Sequence, residues 1–572
     1  MGTLFSSLDI ARAGMFAAQV QLDTTAHNIA NVNTEGFSRQ RVRLTERAPI
    51  LYPFGAIGRG PAVVSIERVR DLFLDTITRD AFQGLGFSEA QAPYFARIQD
   101  LLQEPSDVGL NQRFTRFFDA LNAFATNVAQ APARVAFLEE ARSLVTAMNQ
   151  TARTLFRLRS DANDQAAALV EDINALTTQI AEQNERIRQA EGTGQPANDL
   201  RDQRDVLLDR LSRIVNIEWR ERESGEVDVL LGGEELVVGT RARALAAVRD
   251  TSIDPDRPDL YAIRFTDNNA LVPVYGGQLA GVLEARDNLL GTVDDQLNAL
   301  ARDFIYAFNR IHSQGRGLAA YASTVTSAYA VSDANQPLNN AGLPFTVQDG
   351  SFDIVVYDNA GNVVETVTVN VVASGPPAGQ TTLNQIAAAI NGATNVSASI
   401  SSDGRLLVNP AAGFSLRFAN DTAAFLPAIG LNGLFVGKSA MDMAVNSDLL
   451  NNPALLSSAY TTDLSTVGDN AAALDMLGLR NAPFLDNNTQ TLNQFYEGVL
   501  TFVGVRARSN EQSLQTQQAF ADDFQRRRLE MQGVNLDEEV TNLLLVQRAF
   551  EASARIVTTT DRMLETLLGI VA

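Results

Sequence analysis

The chain has 572 residues, with 46 Lys plus Arg against 67 Asp plus Glu for a net charge of −21, two His and no Cys. That charge excludes phosphate-driven binding of nucleic acid, and the lack of Cys excludes disulfide frameworks, thiolate-held zinc, iron–sulfur clusters and cysteine nucleophiles. His27 and His312 are the whole histidine complement, too little for a Ser-His-Asp triad or a His-rich metal site, so no cofactor is expected.

At this length roughly four domains are expected. The opening Met1-Gly2-Thr3-Leu4-Phe5 has no basic flank, and Asp9, Arg12 and Gln19 interrupt the apolar residues that follow, so no secretory signal is expected. No window holds about 18 uninterrupted apolar residues, so membrane insertion is not expected either. On these features alone the chain reads as cytosolic.

Long stretches without Gly or Pro mark helices, and three stand out: 15–35, 133–191 and 505–568, the last broken by Gly533 alone. In the first helix Leu4, Leu8, Ala11, Met15, Ala18, Leu22, Thr25 and Ile29 follow a 4-3 spacing, a coiled-coil-like seam with Gly14 as its weak link. Within 133–191 a second seam holds Leu155, Leu158, Ala162, Leu169, Leu176, Ile180, Ile187 and Ala190. The turn cluster Gly192-Thr193-Gly194-Gln195-Pro196 ends that helix and Asp199 to Ile214 resume the pattern, predicting an antiparallel helical hairpin.

Strand signals lie between the helical blocks. Val227 to Leu231, Gly232-Gly233 and Glu234 to Val238 predict a hairpin whose Gly-Gly loop supplies positive φ. Phe352 to Val356 and Val363 to Val371, joined through Asp358 to Asn362, predict another. Between Arg316 and Arg480 the only basic residues are Arg405, Arg417 and Lys438, which predicts a separate β-rich domain inserted at 320–455. The terminal seam then returns as Leu536, Val540, Leu543, Gln547, Phe550, Ala554, Val557, Asp561, Leu564, Leu568 and Val571. A rod of that length, roughly 54 Å, needs a partner all along it.

Chemistry is sparse. Asp199, Asp202 and Asp205, interleaved with Arg201 and Arg204, have the spacing of paired carboxylates, yet an acidic first helical turn is favoured by the helix dipole and reads as a solvated, self-paired face. Asp250, Asp254, Asp256 and Asp259 read as an acidic surface loop, lacking the glycine and terminal Glu of an EF-hand. His27 and His312 read as packed or capping residues, and no Walker loop, GxGxxG or GxSxG is present. Catalytic, cofactor-binding and metal residues are therefore assigned to none.

The segment from Leu8 to Met15, then Gln19, Leu22-Asp23 and Ala26-His27-Asn28-Ile29-Ala30-Asn31-Val32-Asn33-Thr34-Glu35-Gly36-Phe37-Ser38-Arg39-Gln40, resembles the N-terminal signature of bacterial flagellar rod, hook and hook-associated proteins. Further blocks resemble the hook-associated members: Ala197 to Asp205, Gly276 to Leu283, Phe308 to His312, Gly430 to Gly437 and Gly533 to Arg555. Thr382 to Asn391 resembles a small repeat of flagellin and hook-associated outer domains.

The resemblance implies a structural subunit rather than an enzyme, placed in a ring at the hook–filament junction. The alternatives are a hook or distal-rod axial subunit and, in a different class, an exported wall-degrading enzyme. Implied partners are further copies of the chain in a ring or helical homo-oligomer, the hook protein, a second junction protein, and an export chaperone on the C-terminal helix. The implied location is the extracellular flagellum, reached by type III export without a cleavable signal.

The fold expected is mainly α with β-rich insertions in an elongated multidomain chain: a coiled-coil-like stem of paired terminal helices, an α/β middle domain and a β-rich outer domain. Expected boundaries are 1–45 with 530–572, 46–319 with 456–529, and 320–455. The expected assembly interface is Leu4, Leu8, Met15, Leu22, Ile29, Asn31, Gly36, Phe37, Leu536, Val540, Leu543, Phe550, Val557, Leu564 and Leu568.

Overall fold

The computed structural model describes residues 2–102, 109–192 and 194–571. Its helices are α1 (Gly2–Ala30), α2 (Leu72–Leu102), α3 (Leu110–Thr126), α4 (Ala131–Glu191), α5 (Asn198–Ile214), α6 (Gly277–Glu284), α7 (Gly291–His312), α8 (Leu383–Ile390), α9 (Phe425–Ile429), α10 (Ser447–Asn451), α11 (Ala471–Gly478), α12 (Leu492–Gln532) and α13 (Leu536–Val571). The sheets are small, two to four strands each, and every pairing between them is antiparallel. The class is therefore mainly α with β-rich insertions. The chain forms two compact units: Met1–Pro93 with Ser160–Arg286 and Arg508–Ala572, and Tyr94–Arg159 with Asp287–Ala507.

In the first unit the distal part of α4 lies beside a four-stranded sheet of Ile217–Glu221, Val227–Leu231, Glu234–Val238 and Arg241–Ala242. Gly232 (φ 58°) and Gly233 (φ 88°) make the expected two-residue turn, where a Cβ would be strained at both positions. Ile173, Ile180, Ile187, Leu208, Leu211, Val229 and Val237 are all fully buried. A helix has no free backbone groups along its length to offer a strand edge, and here asparagine side chains do that work. Asn184 donates to Val227 O and accepts from Val227 N; Asn174 does the same with Leu245; Asn163 accepts from Tyr261 N. Steps of 11 and 10 residues are close to three helical turns, so the three amides share one face of α4.

The second unit is built on aromatic packing. Phe117 on α3 and Phe304 and Phe308 on α7 are fully buried with Phe137 and Phe435; the Phe304–Phe308 ring centroids lie 4.5 Å apart and Phe304–Phe435 5.5 Å. Burying each ring contributes about 1.5–3 kcal/mol. The strand Gly350–Tyr357 is central to a sheet with Val363–Val371 and Ser415–Ala419, confirming the second hairpin. Helix α8 starts in a capping box, Thr382 accepting from Gln385 N while the Gln385 side chain accepts from Thr382 N.

Buried arginines clasp the segment after α10 through carbonyls and hydroxyls. Arg134 donates to Leu456 O and Ser458 Oγ, and Arg316 to Thr461 Oγ1 and Thr466 O. Burial, then the nearby Arg316, lowers the Arg134 guanidinium to about 10.

His312 is completely buried. Its Nε2 accepts from Ser457 N at 3.0 Å, so the other nitrogen carries the proton and Nδ1–H donates to Asn432 O at 2.8 Å. Burial, against the Asn432 bond and with Arg134 adding repulsion, lowers the imidazole from 6.5 to about 4. Protonation would cost Nε2 its acceptor role. The unfolded chain binds this proton first as pH falls, so stability is complete above pH 6.5 and is lost from there down to about 4. We expect roughly 2 kcal/mol to be lost from this group between about pH 7 and pH 5. A His-selective NMR titration should place the His312 midpoint near 4; a midpoint above about 6, close to that of an unperturbed imidazole, would contradict the buried neutral assignment.

Candidate functional site

The candidate site lies in the first unit, where the N-terminal loop, α5 and the two C-terminal helices meet. Helix α1 stops at Ala30, after which Asn31 donates to His27 O at 3.0 Å and accepts from the Thr34 hydroxyl at 3.2 Å. Gly36 has φ +78°, and a Cβ there would come within 2.2 Å of Val206 Cγ2. Only glycine meets both demands. Phe37 turns back edge-on to the His27 ring at 5.4 Å.

Helix α5 receives this loop with its carboxylates. Asp202 accepts from Ser38 N and Ser38 Oγ, both at 2.8 Å. Asp199 accepts from the Gln40 side chain at 2.8 Å. Arg68 bridges Asp202 (2.8 Å) and Asp205 (2.7 Å), and Asp205 also pairs with Arg70 and Arg79. Arg79, stacked over Trp219 at 4.6 Å, continues to Asp209, which holds Arg528 of α12 at 2.7 Å. Gln532, last residue of α12, donates its side chain to Asp75 and accepts from Arg39 N at 2.8 Å.

These carboxylates correct the expectation of a solvated helix face: Asp202 and Asp205 are buried. The expectation failed because Arg68, Arg70 and Arg79 come from other parts of the chain, whereas a helical repeat shows only the interleaved Arg201 and Arg204. Burial pushes the Asp205 carboxyl up, but Arg70, Arg68, Arg79 and Arg204 outweigh it and hold it well below the usual range. At Asp202 burial prevails over Arg68 and Ser38, and the carboxyl is raised. Both acids spend their oxygens on guanidinium, hydroxyl and amide donors, which is an architectural arrangement. Asp250, in the acidic loop, is bound to Ser252 and Arg264. No group of three or more His, Cys, Asp or Glu suited to a metal occurs among the described residues.

The terminal helices run antiparallel within one chain. Asn28, buried near the end of α1, donates to Glu539 of α13 at 3.1 Å, and a Cβ on Gly14 would meet the Ser553 hydroxyl at 3.0 Å. From Asn28 back to Gly14 is 14 residues, and from Glu539 on to Ser553 is 14 as well, so the two contacts share one register.

On α1, Leu8, Met15, Leu22 and Ile29 are half-buried, as are Asn31 and Phe37 in the loop, while Gly36 is exposed. On α13, Leu543, Phe550, Val557 and Leu564 are half-buried, and Leu536 (47%) and Val540 (49%) are exposed. The side chains of Leu4 and Leu568 lie outside the described residues. The second column of the α13 seam is Glu539, Val546, Ser553 and Thr560, each one residue before the expected position; Val540, Gln547 and Asp561 are exposed, while Ala554 is half-buried as expected. Sequence reasoning missed Asn28, Arg39 and Glu539. Their signal was a polar residue beside an apolar seam in each terminal signature.

Among known proteins, the family model for the flagellar hook-associated protein FlgK helical domain matches residues 95–323. The flagella basal body rod protein model matches 8–37, and the flagellar basal body rod FlgEFG protein C-terminal model matches 525–570. The chain is 26% identical over 572 residues to flagellar hook-associated protein 1 of Escherichia coli K12, covering 99% of this chain and all of that one. It is 27% identical over 587 residues to the Salmonella typhimurium protein of the same name, with the same coverage. Over its full length the chain is similar to flagellar hook-associated protein 1 sequences. The Bacillus subtilis protein of that name is 24% identical over 603 residues, covering 100% of this chain and 99% of that one. The solved flagellar hook junction protein FlgK from Burkholderia pseudomallei is 20% identical with TM-score 0.48, covering 78% of this chain and 99% of that one.

The two rod-type models fall on the segments that meet in this site, α1 with its loop and the end of α12 with α13. Asp205→Ala should lower the stability of the first unit by about 3–5 kcal/mol, because three buried guanidiniums lose a shared partner. Urea unfolding checks this, and a loss under about 1 kcal/mol, within the range of surface substitutions, would show the network to be dispensable.

Proposed function

We propose that this protein is a structural subunit of the bacterial flagellum, forming the ring that joins hook to filament and assembling through α1 and α13. The observation that carries the reading is the full-length similarity to hook-associated protein 1 sequences. The surface of α13 supports it: Leu536, Val540, Leu544, Leu545, Ile556 and Met563 are exposed, an apolar display of the kind that marks an interaction site. The partners are further copies of the chain, the hook protein and the second junction protein. A type III export chaperone covers α13 before secretion, and the protein works extracellularly. Residues 1–45 with 530–572 are the assembly domain, 46–319 with 456–529 the stem domain, and 320–455 a separate outer domain. No helix among the described residues is long and apolar enough to cross a membrane.

The protein is not an enzyme in this reading, since Asp202 and Asp205 are engaged by Ser38, Arg68, Arg70 and Arg79. The rod-type models at both ends favour, as a second reading, an axial subunit of the hook or distal rod.

Electron microscopy of gold-labelled protein on intact flagella separates the two. One thin band between hook and filament is expected, and label along the whole hook would support the second reading. Leu22→Asp, Leu543→Asp or removal of 536–572 should leave hooks without filaments while the second unit stays folded. Filaments of normal length on any of these strains would refute assembly through the terminal helices.

A further inference from the structure

The apolar rows of α1 and α13 do not by themselves define how the two helices align. Leu543, Phe550, Val557 and Leu564 recur every seven residues, so a slip of one heptad presents α1 with another apolar row. The polar contacts are not periodic. Asn28 is 1% exposed and Glu539 2%. One amide hydrogen of Asn28 goes to Gln40 O at 3.0 Å and the other to Glu539 Oε2 at 3.1 Å, while its Oδ1 accepts from Gln40 N at 3.0 Å. Glu539 Oε1 takes Arg39 Nε at 2.7 Å, and Arg39 Nη1 reaches Glu538 at 2.9 Å. A slip of seven would put Val546 opposite Asn28, orphaning an amide hydrogen and separating Glu539 from both of its donors.

We propose that Asn28, Arg39 and Glu539 form a buried polar lock that specifies the register of the two terminal helices, while the apolar rows supply the association. The lock also joins the two terminal signatures in a single contact: Asn28 and Arg39 lie in the first, Glu539 in the second. These are positioning residues, and the inference stands independently of where the protein is placed in the flagellum.

The test uses the absence of native cysteine. A Cβ on Gly14 lies 3.8 Å from Ser553 Cβ, within the range a disulfide bridges. Gly14→Cys with Ser553→Cys should therefore cross-link under mild oxidation, and Gly14→Cys with Val546→Cys or with Thr560→Cys, the slipped alignments, should not. In the full-length chain carrying Asn28→Leu and Glu539→Leu, the ratio of in-register to slipped cross-link should fall by about a hundredfold, with helical circular dichroism unchanged. Glu539→Gln, which keeps an acceptor for Asn28 but loses the charge facing Arg39, should fall between. An unchanged ratio in the Leu variant would overturn the proposal. So would the loss of cross-linking at all three positions, because the lock would then hold the helices together rather than choose between alignments.

Discussion

The constraint on which this structure depends is the pairing of strand-edge backbone groups with helices, which have none of their own to spare. The recurrent answer is an asparagine amide, whose C=O and N–H₂ reproduce the pattern of a peptide group. Asn28 pairs in this way with Gln40, Asn174 with Leu245, Asn184 with Val227, and Asn309 with Phe435. Each acts as a one-residue bridge between a helix and an extended segment. An unpaired buried amide would cost about 1–3 kcal/mol per group, so each clip fixes not only that a helix packs there but which residue of the segment it meets.

Arginine is the second organising element. All but one of the 46 basic residues are Arg, the exception being Lys438, and the guanidinium's planar, five-donor fork explains its use here. At α5, Arg68, Arg70 and Arg79 gather the carboxylates of Asp202, Asp205 and Asp209 into one buried network reaching Arg528 of α12. In the second unit Arg134 and Arg316 hold a returning segment by its carbonyls and hydroxyls. The net charge of −21 thus hides an interior in which positive groups do the fastening.

Much of the fold was legible because its signals are local. Gly and Pro punctuation located α4 and α13, alternating strand residues located Val227–Val238 and Phe352–Val371, and the motif from Ala26 to Gln40 located the N-terminal loop. The candidate site was legible only in part. Its apolar members follow from period, but Asn28, Asp202 and Glu539 are polar residues whose burial depends on partners 12 to 511 positions away. Sequence spacing treats such residues as solvent-facing by default.

By itself the sequence determined the long helices α1, α4 and α13, most of their apolar stripes, the two hairpins and the absence of thiol chemistry, since each depends on the order of neighbouring residues. Only the tertiary structure decided that Asp202 and Asp205 of α5 are buried and that α13 turns Val546 and Thr560 rather than Gln547 and Asp561 toward the protein. It also decided that α1 and α13 meet antiparallel through Asn28 and Glu539. The physical reason is one of information: a repeat of seven specifies a face but is unchanged by a shift of seven. Alignment therefore rests on the few non-repeating polar groups, whose partners only folding brings within hydrogen-bond reach.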